Sequence, residues 1–316
     1  MLLRLAQRFL VLLASLVVAS VLVFAFMQVL PGDPARVALG MNSSAESVEA
    51  MREQFGLNRP LLVQYADWAS GMVTLDLGVE WVSKAPIAPQ LVDRVAVTAW
   101  LVVTSMVLAL LIALPVGTWM AVRHRHADGV VLSGISQIGV AIPAFLAGII
   151  LITYFSKRFG WFPSGGWTPP AEDPVDFLSK LVLPALSLAL VQASVLSRYV
   201  RSAVLDVLRE DYLRTARAKG LRPMQALTRH GLRNASVPIV TVLGLQLATL
   251  LIGAVVVERV FVIPGLGTFL LDSVSARELV TVQTVVMVLV AAVLIINFLV
   301  DVLYLLIDPR LRTGAR

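Results

Sequence analysis

The sequence predicts an all-α membrane protein with six transmembrane helices, both termini in the cytoplasm, and three observations predict it. Hydrophobic residues make up 58% of the chain and charged residues only 15%, against about one quarter charged in soluble domains; the mean hydropathy is +0.84. Several apolar runs reach about 20 residues, the length an α-helix needs to cross a hydrocarbon core about 30 Å thick. The basic residues concentrate in alternate connecting segments, which is the pattern that orients a multi-span chain.

Taken in order, the spans are read at Phe9–Leu30, Val95–Val122, Gly129–Phe155, Leu181–Leu196, Ala235–Val257 and Leu279–Ile307. Sixteen basic residues, from Arg4 and Arg8 through Arg123, Arg125 and the run 198–233 to Arg310, Arg312 and Arg316, are accompanied by five acids. The other segments carry ten basic residues against fourteen acids, so the positive-inside rule places both termini in the cytoplasm. This sorting also accounts for a net charge of +6 without a nucleic-acid surface. The first run is longer than the 7–15 residues of a signal-peptide core, so it reads as an uncleaved helix although Ala38-Leu39-Gly40 follows it.

The extracytoplasmic loop 31–94 carries helix signals of its own. Ser43 followed by Glu46 has the spacing of a capping box for a helix to about Phe55, and Gly56 suits its C-terminal cap. Pro60 suits the first turn of a second helix through Tyr65 and Trp68. Within the spans, Pro115, Pro143, Pro184, Pro238 and Gly244 are tolerable where neighbouring helices satisfy the freed carbonyls. Ala189, Ala193 and Ser197 recur every four residues in the fourth span, which suits close helix packing. For Phe261–Ala276 two readings stand, a segment folded back against the bundle or a plain external loop.

The cytoplasmic segment 198–234 is the most informative. Within it, Asp211-Tyr212-Leu213-Arg214-Thr215-Ala216-Arg217-Ala218-Lys219-Gly220-Leu221 reads as a short helix with a basic side, small residues at 215, 216 and 218, and Gly220 as terminator. Such a helix suits docking of a partner surface close to the backbone, but on its residues alone contact with anionic lipid head groups is the favoured reading.

Catalytic, cofactor and metal machinery is not expected. Cysteine is absent, which removes thiolate chemistry. None of Lys84, Lys157, Lys180 and Lys219 lies in a phosphate-binding loop of the G-x-x-x-x-G-K-[ST] type, and His124, His126 and His230 lack metal-site spacing. Asp301 is the one clear charged candidate inside a span, near its inner end. Gln137, Gln246, Gln283 and Asn297 either line a pathway or bond across helices.

At these residues the sequence resembles the inner-membrane permeases of binding-protein-dependent importers, in the branch serving dipeptides, oligopeptides, nickel and glutathione. The resemblance runs through Leu30-Pro31-Gly32-Asp33-Pro34, Phe55-Gly56-Leu57-Asn58-Arg59-Pro60 and the run 211–220. It continues through Arg229-His230-Gly231-Leu232-Arg233-Asn234-Ala235, Pro264-Gly265-Leu266-Gly267 and Asp308-Pro309-Arg310. The wider superfamily's cytoplasmic signature begins Glu-Ala-Ala; here Arg214 and Thr215 replace its first two residues, while Ala216, Gly220 and Leu232 match, and His230 and Arg233 stand for its Ile and Pro. The resemblance implies that Leu213, Arg214, Thr215, Ala216, Arg217, Ala218, Lys219, Gly220 and Leu221 form a coupling helix. It implies a single permease domain over 1–316 in the bacterial inner membrane, pairing with a second homologous permease. Two cytoplasmic ATPase subunits and an extracytoplasmic binding protein complete the implied assembly, with peptides as cargo and nickel, a metal chelate or glutathione as alternatives. An ion-coupled secondary transporter is the rival class; it requires ionisable groups at the membrane midplane, which this chain almost lacks.

Overall fold

A computed structural model describes residues 2–29, 33–39 and 43–307. The expected motif residues Leu30-Pro31-Gly32, Gly40 and Asp308-Pro309-Arg310 lie outside the described residues.

The described chain is helical, and its only strand-like pairing is an isolated bridge between Val79 and Pro86. The elements are α1 (Leu2–Val29), α2 (Pro34–Leu39), α3 (Ala45–Gln54), α4 (Leu61–Thr74), α5 (Ile87–Val122), α6 (Ala127–Ala141) and α7 (Ala144–Leu151), which runs on as a π-helix over Ile152–Arg158. After these come α8 (Pro174–Leu208), α9 (Asp211–Ala218), α10 (Pro223–Ala226) with a π-turn over Leu227–Gly231, α11 (Leu232–Val260), α12 (Leu266–Ser275) and α13 (Leu279–Ile307). Five of these helices, α1, α5, α8, α11 and α13, are long and apolar enough to cross a membrane.

The expected third span is not one straight helix. Between α6 and α7 the axis bends by 101°, because Ile142 is extended (φ −85°, ψ 121°) and Pro143 caps α7. Proline crowds the backbone of the residue before it and pushes that residue out of the helical region. Counting the bent pair as one span gives six. Pro115, Pro184 and Pro238, by contrast, lie inside continuous helices.

The chain divides into two compact units. One comprises residues 7–98 and 264–295. Its apolar centre is Leu91 of α5, Leu266 and Phe269 of α12, and Val285 of α13, so α12 folds back onto helices rather than looping freely. Glu278, 2% exposed, anchors the chain before α5: its carboxylate accepts from the backbone N–H groups of Trp81 (2.7 Å), Val82 (2.9 Å) and Ser83 (2.8 Å). A buried carboxylate is stable when its lone pairs receive donors of this kind. In α1, no part of the apolar span is buried, and its contacts with α4 include the rings of Phe24, Tyr65 and Trp68 and a 2.8 Å hydrogen bond between Ser20 and Tyr65.

In the same unit, α3 is capped one residue later than the expected Ser43. The Ser44 hydroxyl accepts from the Ser47 N–H at 3.2 Å. At the other end Gly56 has φ +68°, with Gly56 N–H donating to Glu53 and Leu57 N–H to Arg52, the paired bonds of a Schellman cap. Hydrogen bonding to Asp33 first, and its charge second, hold the Arg52 guanidinium above its ordinary pKa.

The other unit holds 99–263 with the first few residues and those from Ile296 on. Helix α8 is its axis: Asp173 caps it by accepting from Val175 (2.9 Å) and Asp176 (3.0 Å), and Pro174 occupies the first turn. Ala189, Ala193 and Ser197 are all buried along α8. Helices pass close beside them: a Cβ on Gly117 of α5 would lie 2.6 Å from the Ser197 carbonyl, and one on Gly139 of α6 2.2 Å from Ser194 Oγ.

Candidate docking segment

The segment between α8 and α11 holds α9, α10 and the π-turn, and is firmly seated. Helix α9 starts after Glu210, with Asp211 in the first turn and Arg217 in the last, charges placed to suit the helix dipole. Its amphipathic pattern turns Leu213 (2% exposed) and Ala216 inward. There they join Val204 and Val207 of α8, Ala226 and Leu227, and Ala235 and Ile239 of α11 in one apolar cluster, with Leu221 packed against it. Burying a leucine this completely contributes about 1.5–3 kcal/mol.

Termination is a second Schellman cap. Gly220, at φ +93°, donates to the Arg217 carbonyl at 3.0 Å, and Leu221 donates to the Ala216 carbonyl at 3.3 Å. The left-handed turn swings Leu221 back onto the cluster that Ala216 touches, the apolar contact that accompanies this cap. The nine residues named from sequence are thus distributed over three roles. Leu213, Ala216 and Leu221 hold the helix down; Arg214, Thr215, Arg217, Ala218 and Lys219 are exposed, and Gly220 turns the chain. Of the small residues at 215, 216 and 218, Ala216 is turned inward, and Thr215 and Ala218 are exposed. The Arg214–Asp211 pair at 3.3 Å is exposed on both sides and contributes little to stability.

Beside α9 lies a cleft of about 230 Å³ lined by Tyr212, Thr215, Ala216, Lys219, Leu221 and His230. Its far wall is the π-turn 227–231, and the Tyr212 hydroxyl is held by a 2.9 Å hydrogen bond from Asn234. Gly231 makes the close seating work. A Cβ there would stand 2.7 Å from Leu227 and 3.0 Å from Val207, with Leu213 at 3.4 Å. Gly231 stands within the motif run 229–235, but no local pattern in a sequence announces which distant side chain a glycine must admit.

Gln246 and Gln283 are buried, Asn297 is exposed and Asp301 is half-buried. Gln137 lines a separate cleft with residues of α8. Glu80, Glu258 and Glu278, which the sequence assigned to external loops, are all buried. Glu258 closes α11, its carbonyl accepting from Ile263 N–H at 2.8 Å.

Comparison with known proteins matches both halves of the chain. The family described as "Binding-protein-dependent transport system inner membrane component" covers residues 113–313, and its N-terminal counterpart, described as "Binding-prot-dependent transport system membrane comp, N-term", covers residues 1–102. The chain is 41% identical to the glutathione transport system permease protein GsiC of Escherichia coli (strain K12), over 97% of each chain. The protein of the same name from Salmonella choleraesuis (strain SC-B67) is 40% identical over the same share. Among solved structures, the fold is similar to a chain of the MetNI methionine ABC transporter in an inward-facing conformation, with a TM-score of 0.59 at 22% identity, covering 71% of this chain and 98% of that one.

Proposed function

We propose a specific role for a chain that belongs to the family of binding-protein-dependent transport system inner membrane components, and is therefore a multi-pass permease of an ABC importer in the bacterial inner membrane. In this reading the chain forms half of a translocation pathway, completed by a second, homologous permease. Its solute is a short peptide or glutathione, delivered by an extracytoplasmic binding protein. The relationship to glutathione permeases over almost the whole chain is the observation that carries the solute class.

Both termini and α9 face the cytoplasm, where two ATPase subunits bind and hydrolyse ATP. The ATPases engage the exposed face of α9. Because Leu213, Ala216 and Leu221 tie that helix to α8 and α11, a displacement of α9 is passed to the membrane helices as a rigid body. The machine then alternates between two conformations with different affinities for its partners.

The test is reconstitution of the whole importer with its binding protein, followed by ATP-dependent uptake of labelled glutathione and of labelled dipeptide. Uptake of either, lost on omitting the binding protein, is the expected result. Uptake of neither, with nickel or another solute carried instead, overturns the solute assignment. Purification of the tagged chain from native membranes tests the assembly. A second permease and ATPase subunits are expected with it, and recovery of the chain alone overturns the docking reading.

A further inference from the structure

A cleft of about 460 Å³ opens between α6 and α8, lined by Ser133, Gln137, Arg198, Tyr199, Arg201 and Ser202 over a floor that includes Met120. The volume falls within the range of about 300–1,000 Å³ usual for small-molecule sites. Two helix faces build it. Ser133, Gln137 and Val140 follow the helical repeat on α6, while Arg198, Arg201 and Ser202 do so on α8.

Its charge is unbalanced. Two guanidinium groups line the cleft and, among the described residues, no carboxylate does. The ion pairs found among the described residues involve neither arginine. Asp128, at the start of α6, is already engaged by Arg123 (3.0 Å) and Trp119 (3.0 Å). Arg201 Nε is buried without a hydrogen-bond partner. An arginine keeps its charge at any physiological pH, and a buried donor on a charged group is costly to leave unpaired. The ligand that removes this cost is a planar or tetrahedral oxyanion, which matches the guanidinium fork in charge and geometry. Gln137, Tyr199 and the two serines supply neutral hydrogen-bonding groups around it.

We propose that this cleft is an oxyanion-binding site in which Arg198 and Arg201 hold a carboxylate or phosphate. Two sources offer that chemistry: the carboxylates of a transported solute, and the phosphate of an anionic lipid head group. Both arginines follow directly on the apolar part of α8 in the chain. The site rests on the cleft and not on the docking role of α9, so the failure of one leaves the other standing.

The experiment uses the complete importer in dodecyl maltoside, which carries no phosphate, and reads the rate at which phenylglyoxal modifies Arg198 and Arg201, by peptide mass mapping. Exposed Arg125 in the same sample is the internal reference. In the maltoside alone both arginines react freely. Added phosphatidylglycerol, or added S-methylglutathione without lipid, slows them about tenfold relative to Arg125 when nine sites in ten are occupied. Protection by the lipid alone identifies a head-group site, and protection by the tripeptide identifies a solute site. Arg201→Gln removes the protection at Arg198, whereas Arg201→Lys retains part of it; recovery of the intact complex shows that each variant has assembled. Equal rates with and without both oxyanions overturn the proposal.

Discussion

Gly220 stands at φ +93° with no heavy atom within 4 Å of where a Cβ would be, so only the backbone opposes a side chain there. An L-residue in the left-handed region costs about 1–2 kcal/mol, and a β-branched one more. Gly220→Val therefore unwinds the cap and frees Leu221 while leaving the membrane helices in place. The expected outcome is loss of solute-stimulated ATP hydrolysis in the reconstituted importer at normal membrane insertion; normal stimulation would show that the cap does not transmit. Glu278 is a residue of the opposite kind, its value lying in what it accepts. Glu278→Gln keeps the shape but gives up the charge on which three N–H groups converge. Since hydrogen bonds to charged groups contribute about 1.5–3 kcal/mol each, a destabilisation of about 2 kcal/mol is expected, read as a lower thermal midpoint of the purified protein. Gly220 was legible in sequence because a helix terminator is a local pattern. Glu278 was not, because its partners lie almost two hundred positions earlier in the chain and Arg277-Glu278 reads as an ordinary polar loop.

At the scale of elements, the crossing of α5 and α8 depends on a missing side chain. A Cβ on Gly117 would meet the Ser197 carbonyl and Val200 Cβ, both at 2.6 Å, and backbone cannot swing aside as a flexible side chain can. Gly117→Val is expected to destabilise the bundle by about 3 kcal/mol, the upper end of the range typical of overpacking. Gly134→Val on α6, where the space is open, should leave thermal stability almost unchanged, and equal losses in the two variants would refute the packing argument. The small-residue repeat Ala189, Ala193, Ser197 announced this crossing from sequence. The breaking of the third span was not announced. Pro143 looks like Pro115, Pro184 and Pro238, yet of these four only at Pro143 does the chain leave the helix. The cap of α3 shows the same limit more mildly. Ser43 and Ser44 both have a polar residue three positions on, and the backbone conformation selects Ser44.

For the whole molecule, the alternation of charge, the six apolar runs and the resemblance to importer permeases were all legible, since each depends on composition or on motif order. The division of the chain into two units was not, because it cuts across helices that composition makes uniform. The orientation proposed above is open to direct test, and the absence of cysteine gives a clean background for it. Ala218→Cys, on the exposed side of α9, should react with a membrane-impermeant maleimide in inside-out vesicles stripped of ATPase and not in intact spheroplasts. Added ATPase subunits should slow the reaction, and labelling from outside would invert the topology. The bend at Pro143 carries one more consequence. Where α6 stops, its last carbonyls have no following turn to receive them, and Ala144 and Phe145 begin α7 before any donor–acceptor ladder is complete. Hydrocarbon cannot solvate such groups. If this bend lies at membrane depth, fatty acyl chains are barred from it, and the neighbourhood of Pro143 is a hydrated vestibule or a seam sealed by another polypeptide.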